Sequence, residues 1–583
     1  MTTPNEKSKT NLNTTSNLNN KALKEINKKW SLMGKDLILS KSHKLENLTL
    51  RNLDTKHINY KVYYILCDPF TFINAYARIS KNKGALTKGI TIDKEIMANF
   101  SLNIAENIAN KFKKNTYNWS PTRRVWIPKP FKTTKRPPID TPTQEDRIVQ
   151  EAIRGILEAI FEPEFQEFEK ENNYLATNYG FRPNKSTWNA VEQLKLQGQA
   201  TNIAIEGDIK GAYNSVNHST LLNRMSERIK DKKFLKVIKN LLKTGVMDKN
   251  QFTHSLGGTP QGGIVSPILF NIYMFNFDKY MYNTFIKPTQ TQTPNPIKRN
   301  TEYTNLGYKM KHHLKEWQAS KKSNNPDESY LKSFRDIQQT RFKIPVYEIN
   351  TLPKKAIYVR YADDWVLMFT GTQKEAIKNK EKISDYLLNE LKMILDPTKT
   401  FIKKVQDGIH FLGYTIQMWS PEAMKLIKVI TQTQYKTIRA LRRTTSRKIT
   451  ILPHKERVLN NLILKKFCQP NTHYPIGVRG WTHYSEFDIV LKYRQVMLGI
   501  VNYYRNCDQT RILNYVSYIL QYSCAKTLAA RRKETMPQIF DRYGKNLTIT
   551  QTFFSSNQNT TRTVKFSTYT DLKREGRFEP LHF

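Results

Sequence analysis

The sequence predicts a mixed α+β core followed by an all-helical region crowded with basic side chains. Three observations predict it. Two short apolar runs, residues 201–208 and 358–370, read as strands that carry carboxylates at their ends. Segments such as residues 147–160 and 374–391 repeat apolar side chains at helical spacing before and after them. From about residue 425 the chain becomes dense in Lys and Arg, and apolar stripes at spacings of three and four recur to about residue 550.

The stretch that organises the rest is residues 358–370, where Asp363 and Asp364 lie between two runs rich in Val, Tyr, Trp, Leu and Phe. The runs read as two strands and the acidic pair as the turn between them. Adjacent carboxylates held among apolar residues suffer desolvation and mutual repulsion, and a divalent cation relieves both. The competing reading is an ordinary Asp-rich surface turn. Asp208 closes the other apolar strand. If the two strands share a sheet, Asp208 faces Asp363 and Asp364. Three carboxylates so placed hold two Mg²⁺ ions about 4 Å apart, the arrangement that activates a 3′-hydroxyl and stabilises leaving pyrophosphate.

Composition narrows the partners. The chain has 583 residues, 94 Lys and Arg against 50 acids, and a formal net charge of +44. Such an excess points to nucleic acid, where each phosphate contact releases a counterion. Cys67, Cys468, Cys507 and Cys524 are scattered, which excludes a disulfide framework and a cysteine-rich zinc module. No apolar run reaches transmembrane length, so no membrane partner is expected. The first thirty residues contain no Arg, unlike an Arg-rich import presequence, which fits synthesis inside the compartment of use or in the cytosol.

In chain order, residues 1–28 read as a disordered polar tail and residues 29–118 as an N-terminal extension, with a helix over 70–79 and a basic loop over 81–89. Residues 119–142 read as a hairpin that presents Lys129 and Arg136, suited to a triphosphate. A polar loop, Asn178-Tyr-Gly-Phe-Arg-Pro-Asn-Lys-Ser186, precedes a helix from Thr187. His218 near the start of the next helix reads as a structural or capping residue. The Gly-rich stretch 257–267 allows close approach of backbone to a ligand and leads into a helix over 268–277. Residues 287–305 read as a loop, part of an insertion over about 286–350. Strands are expected over 401–405 and 409–416, around an Asp407-Gly408 turn. The basic cluster Lys425 to Lys448, including Arg442, Arg443 and Arg447, reads as helical, and phosphate contact is favoured by its density. The stripes from Ile489 to Tyr504 and from Ile512 to Cys524 read as packing faces, followed by Lys526 and Arg531 as RNA contacts.

Asp208, Pro260-Gln-Gly262 and Tyr361-Ala-Asp-Asp364 together resemble the active-site blocks of reverse transcriptases, and specifically of group II intron-encoded proteins. The order of blocks carries the resemblance: residues 83–89, 124–139, Tyr179-Gly-Phe-Arg-Pro183, 208–216, 259–267, 358–366, 391–400 and 411–414, then a maturase-like region over 490–547. It covers roughly residues 55–550. The resemblance implies a right-hand polymerase fold, with fingers and palm over 119–420 and a helical thumb and maturase region over 421–550. It implies Asp208, Asp363 and Asp364 as metal ligands, and Tyr213 as the aromatic gate against a 2′-hydroxyl. Gln261, Lys129 and Arg136 would meet the incoming nucleotide, and Gly413 and Tyr414 the primer. The implied activity is RNA-directed DNA synthesis with two Mg²⁺ ions, together with splicing of the host intron. Implied partners are group II intron RNA, an RNA template with DNA primer, deoxynucleoside triphosphates, target DNA and a second copy in a homodimer. The alternative is a splicing-only maturase with a vestigial polymerase.

Two further expectations concern the ends and the setting. No cysteine follows Cys524, so an H-N-H endonuclease with paired cysteines is not expected, and residues 551–583 read as a short segment with at most a DNA-binding remnant. Abundant Asn, Lys, Ile and Thr suggest an organelle genome of low G+C content, with the mitochondrion preferred over a chloroplast or a bacterial cytoplasm.

Overall fold

The computed structural model describes residues 44–82, 84–90, 99–126, 139–173, 175–248, 251–253, 257–260, 262–291, 298–322, 327–344, 346–348, 354–418, 426–432, 437–443, 448–554 and 559–575. It begins with three helices, α1 (Lys44–Asn52), α2 (Pro69–Ile79) and α3 (Leu102–Lys113). Asp68 starts α2 by accepting from the Phe70 amide, with Pro69 at a position where a missing N–H costs nothing. Strands β1 (Thr122–Val125) and β2 (Ile139–Thr141) pair antiparallel, with Arg124 opposite Asp140 and its Nε 2.8 Å from that carboxylate. The base of the expected hairpin is therefore present. Its arms with Lys129 and Arg136 lie outside the described residues.

Helix α4 (Gln144–Glu171) is the longest among the described residues, and most of its residues are buried. Helix α5 (Thr187–Gln197) starts at a capping box between Ser186 and Asn189 and leads into β3 (Ile203–Gly207). Asn217 caps α6 (His218–Ser226), and His218 Nε2 lies 2.7 Å from the Gly258 carbonyl, the structural role expected of it. Helix α7 (Lys232–Lys243) is followed by β4 (Val246–Asp248) and β5 (Gln251–Thr253), which join β1 and β2 in the order β2-β1-β4-β5. Helix α8 (Ser266–Met281) runs on through a widened turn, Tyr282–Ile286, into Lys287–Gln290.

The expected loop over 287–305 is therefore corrected. Helix continues to Gln290, and a helical arm follows, α9 (Thr301–Lys322) against α10 (Glu328–Lys343). An antiparallel bridge between Arg299 and Tyr347 closes its neck. The arm is amphipathic enough for its two helices to pack on one another. Pro and Thr in residues 291–297 mask that pattern at its start.

The central sheet is β6 (Ala356–Tyr361), β7 (Asp364–Phe369), β3 and β8 (Phe401–Lys404), in the antiparallel order β6-β7-β3-β8. Helix α11 (Gln373–Asn389) connects β7 to β8 from a Thr372–Glu375 capping box. Both faces of the sheet are covered. Ile205, Tyr358, Trp365 and Leu367 face one core with α4 and α8. Ala204, Ile357, Val359, Val366 and Met368 face a second core formed with the C-terminal half. Burial on both faces explains why the strands read as continuous apolar runs and not as alternating ones.

The second half departs from its expectation. Residues 409–416 are not one strand: β9 (Ile409–Phe411) and β10 (Tyr414–Met418) fold back on each other through Leu412 and Gly413, both at positive φ. They pair with β13 (Ile449–Pro453) in a sheet separate from β8. Residues 426–443 are strands β11 (Leu426–Gln432) and β12 (Thr437–Arg443), not helix, and place Arg442 and Arg443 on an antiparallel hairpin. Ile427, Val429, Ile430 and Thr431 are β-branched, and that preference outweighs the helix-like spacing of the charges. Arg447 lies outside the described residues, and Lys448 is exposed. Helices α12 (Lys455–Leu464), α13 (Glu486–Tyr504), α14 (Arg511–Arg532) and α15 (Met536–Tyr543) follow. The hairpin β14 (Ile549–Phe554) and β15 (Asn559–Val564), with α16 (Tyr569–Glu575), completes the second core through Val564, Phe566, Tyr569 and Leu572. The region is thus mixed, not all-helical. Among the described residues no helix is long and apolar enough to cross a membrane.

Candidate active site

The acidic turn is held from below by a buried polar network. Arg360 sits in β6 with its side chain fully enclosed, and it donates to Asp278 of α8 at 2.8 and 2.6 Å. Tyr358 donates to the same carboxylate at 2.9 Å. Burial pulls the Arg360 guanidinium down, and Asp278 more than offsets this, leaving it raised and firmly charged. The remaining reach of Arg360 goes to the turn itself, Nη1 to the Ala362 carbonyl at 3.0 Å. Ala362 adopts a φ of 58°, so the turn needs a fixed carbonyl on one side.

The 178–186 loop braces the turn from the other side. The Tyr179 amide donates to the Arg360 carbonyl at 2.9 Å and the Arg360 amide to Thr177 at 2.7 Å. Asn271 of α8 donates to the Gly180 carbonyl and accepts from Asn178. A Cβ on Gly180 would stand 2.4 Å from the Ala362 nitrogen, so glycine alone lets the loop lie against the turn.

The register of β3 on β7 sets Gly207 opposite Trp365, which brings the next residues, Asp208 and Asp364, to the same end of the sheet. Asp363 is half-buried in the turn, and Asp364 opens onto the cleft at the start of β7. Burial raises Asp363 above the usual carboxylate range, and the charge of Asp208 adds to it. Asp364 is pushed up to about 6, first by loss of water from the protein walls around it, then by Asp363 and Asp208. Lys399, on the loop after α11, pairs with Asp208 and its charge lowers both neighbours, with Arg360 adding to this at Asp363 and Arg457 at Asp364. With Asp208 turned to Lys399, no three acids, histidines or cysteines among the described residues form a metal-holding group as placed. The donor set still fits a divalent cation: three hard oxygen ligands at adjoining strand ends, mutually repelling, with an ammonium group already drawn to them.

Tyr213 lies beside this cluster. Its ring stacks on Phe270 at 4.7 Å, and burial followed by the Asp363 charge raises its phenol well above the ordinary value. The Thr259 amide donates to the Tyr213 carbonyl at 2.8 Å, which docks residues 257–260 against it. Gly262, at a φ of 110°, approaches β2 so closely that a Cβ would meet the Asp140 carbonyl at 2.9 Å. Gln261 lies outside the described residues, as do Lys129 and Arg136.

Gly413 and Tyr414 form a separate support. Tyr414 is 1% exposed and stacks on Tyr503 of α13, so it packs the base of the turn and does not line the cleft. Any primer support by Tyr414 therefore acts through the turn it packs and not through its own ring. Tyr503 and Tyr504 donate to the carbonyls of Leu412 and Gly413 at 2.7 and 3.2 Å, which clamps the turn to the C-terminal half. Lys526 donates to Pro475 and lies 3.7 Å from the Tyr474 ring centroid, while Arg531 donates to Thr482 at 2.9 Å.

Sequence reading missed Lys399, Arg360 and Asp278. For Arg360 the signal was present: an arginine inside an otherwise apolar strand needs a buried partner. Lys399 carried no local signal, because its partner is 191 residues away.

Comparison with known proteins adds the family. A model described as reverse transcriptase (RNA-dependent DNA polymerase) matches residues 127–295, and one described as type II intron maturase matches residues 445–575. The first match ends ahead of the α9–α10 arm, which separates it from the acidic turn. The second takes in β14, β15 and α16. The chain is 30% identical over 484 residues to the group II intron-encoded protein LtrA of Lactococcus lactis subsp. cremoris, covering 82% of this chain and 75% of that protein. It is 29% identical over 510 residues to the putative COX1/OXI3 intron 2 protein of Saccharomyces cerevisiae, covering 85% of this chain and 54% of that protein. To the putative COX1/OXI3 intron 1 protein of the same yeast it is 28% identical over 528 residues, covering 89% of this chain and 59% of that protein. A reverse transcriptase domain works with a divalent metal cation, nucleotide substrates and RNA, for which the acidic cluster and the net charge of +44 are suited. The chain belongs to the group II intron-encoded proteins, with a reverse transcriptase domain followed by an intron maturase region.

Proposed function

We propose that the chain folds as a right hand and copies RNA into DNA at the turn that carries Asp363 and Asp364, and that its second half binds the host intron to promote splicing. In this reading residues 29–118 are the N-terminal extension. Residues 119–420 are fingers and palm with the α9–α10 arm inserted, and 421–575 are thumb and maturase. The single observation that carries the reading is the β3–β7 register, which gathers Asp208, Asp363 and Asp364 at one sheet end. Two bound Mg²⁺ ions would supply Lewis acidity to the 3′-hydroxyl and to the leaving pyrophosphate, held by these three carboxylates.

The protein's own residues supply position. Arg360 and Gly180 fix the turn so that its carboxylates do not reorganise during the reaction. Tyr213, backed by Phe270, forms the floor that rejects the 2′-hydroxyl of a ribonucleotide and so admits a deoxynucleotide. Gln261, Lys129 and Arg136 meet its base and triphosphate, and the Leu412–Gly413 turn supports the primer. Arg442, Arg443, Arg447, Lys448, Lys526 and Arg531 contact the intron backbone. Target DNA and a second copy of the chain complete the partners. The mitochondrion is the proposed compartment, in keeping with the names of the yeast relatives.

The test is direct. Purified chain should extend a DNA primer on RNA with deoxynucleotides, and should splice the intron that encodes it at a Mg²⁺ level too low for self-splicing. Failure of extension with a splicing-competent protein rejects the polymerase half of the reading. Failure of splicing alone rejects the maturase half.

A pH dependence follows from the acids. Raised carboxylates favour the protonated form in the fold, so the metal-free protein loses stability as pH climbs from the ordinary carboxylate value near 4 to about 6 for Asp364. A cation relieves that repulsion. The rise in melting temperature on adding Mg²⁺ should therefore be small near pH 4 and full above pH 6. Asp146, also pushed up to about 6 by burial, moves the absolute curve but not the difference with and without metal. An equal Mg²⁺ increment at both ends of the range would sink the assignment.

A further inference from the structure

The face of α14 turned away from the second core carries Arg511, Tyr515, Tyr518, Tyr522 and Lys526, at spacings of four, three, four and four. These spacings place all five on one stripe of the helix, about 22 Å long at 1.5 Å per residue. The opposite stripe, Val516, Ile519, Leu520, Ser523 and Cys524, is buried. Tyr515 and Tyr518 are 38% and 42% exposed. The rings form a continuous row: Tyr515 and Tyr518 lie 6.3 Å apart with planes 13° from parallel, Tyr518 and Tyr522 lie 4.6 Å apart, and Tyr522 abuts Phe540 at 5.6 Å. Packing on Phe540 holds the Tyr522 end of the row against the protein, and Tyr515 and Tyr518 continue it into solvent.

We infer that this tyrosine row is a stacking platform for unpaired bases of RNA. Three features favour that occupant. Flat aromatic faces set in a row accept successive bases by stacking, whatever their sequence. A cation lies on the helix at each end of the stripe, Arg511 at one and, at the other, Lys526, which donates to the Pro475 carbonyl and lies over the Tyr474 ring, and both favour phosphate. The whole of Arg511–Arg532 contains no Asp or Glu, so nothing on the helix repels phosphate. The inference rests on the RNA-binding reading above and adds to it the kind of RNA: single-stranded or looped-out nucleotides, recognised by stacking and not by duplex shape.

The probe is a single-stranded oligoadenylate of roughly twelve nucleotides carrying a central 2-aminopurine, beside a duplex of the same length. The full chain should quench the 2-aminopurine. Tyr515→Ala with Tyr518→Ala should abolish the quenching and weaken single-strand binding on the order of tenfold, with the salt dependence unchanged. Tyr515→Phe with Tyr518→Phe should retain both, because the ring and not the hydroxyl does the stacking. Arg511→Gln should leave quenching in place and flatten the salt dependence by about one counterion. Primer extension on a preformed hybrid should be untouched in all of them, which certifies the fold. Unchanged quenching in the double alanine variant overturns the inference while leaving the RNA-binding reading intact, because native protein still binds. Equal loss on duplex and single strand also overturns it. So does conversion of a dimer to a monomer by the alanine pair, which would assign the row to a second copy of the chain.

Discussion

Asp363→Asn is expected to cut primer extension by about 10²- to 10³-fold, the scale on which a lost stabiliser of transition-state charge acts, and to raise the melting temperature of the metal-free protein at neutral pH. The two effects share one cause. Asp363 is raised above the usual carboxylate range by burial and by Asp208, so its charged form costs the fold stability until a cation is bound. Asparagine keeps the shape of the side chain and its room in the turn, removes the repulsion, and removes a metal ligand. The gain in stability should shrink as pH falls toward the ordinary carboxylate value near 4, below which the unfolded and folded carboxyl are both uncharged. RNA binding in the second half of the chain should be unaffected. Retained extension would show that Asp363 does not hold the reacting metals. Lost extension with a lowered melting temperature would show that the residue serves the fold, not the reaction.

How much of this was legible in the sequence depends on whether a signal was local. The Tyr358-to-Phe369 strands and the carboxylates between them were readable, because a buried sheet strand writes its environment into consecutive residues. So were α2, α5, α6, α8 and α11, whose caps and apolar spacing lie within a few positions. The 426–443 hairpin was misread because Lys428, Arg439, Arg442 and Arg443 follow a helical spacing, while the β-branched residues between them decide the backbone. The turn at Leu412 and Gly413 was read as mid-strand, since a glycine there is compatible with either course until its φ of 82° is known. The α9–α10 arm was hidden behind a Pro- and Thr-rich approach. At the site, Tyr414 was placed against the primer by resemblance, and only packing on Tyr503 shows that it is enclosed. Lys399 could not be found from spacing at all: it meets Asp208 only because α11 returns the chain to β3.

Asp278→Asn is expected to destabilise the protein by about 3–5 kcal/mol, the cost of leaving one partner of a buried pair uncompensated. Arg360 is fully enclosed, Asp278 is 2% exposed, and no solvent is at hand to take over the guanidinium charge. The same change removes the acceptor of Tyr358. The informative comparison is the double variant Asp278→Leu with Arg360→Met. Well-packed apolar replacements of a buried pair are often neutral or better for stability, so melting should recover most of the loss. Extension should not recover, because the Arg360 contact to the Ala362 carbonyl is gone and the turn at φ 58° loses its brace. Urea melts would read the first quantity, and the Mg²⁺ dependence of single-turnover extension the second. If the double variant regains both, the pair only holds α8 to the sheet. If it regains stability alone, Arg360 is a positioning residue for the carboxylates, and β6 carries a charge through the core in order to aim the turn that follows it.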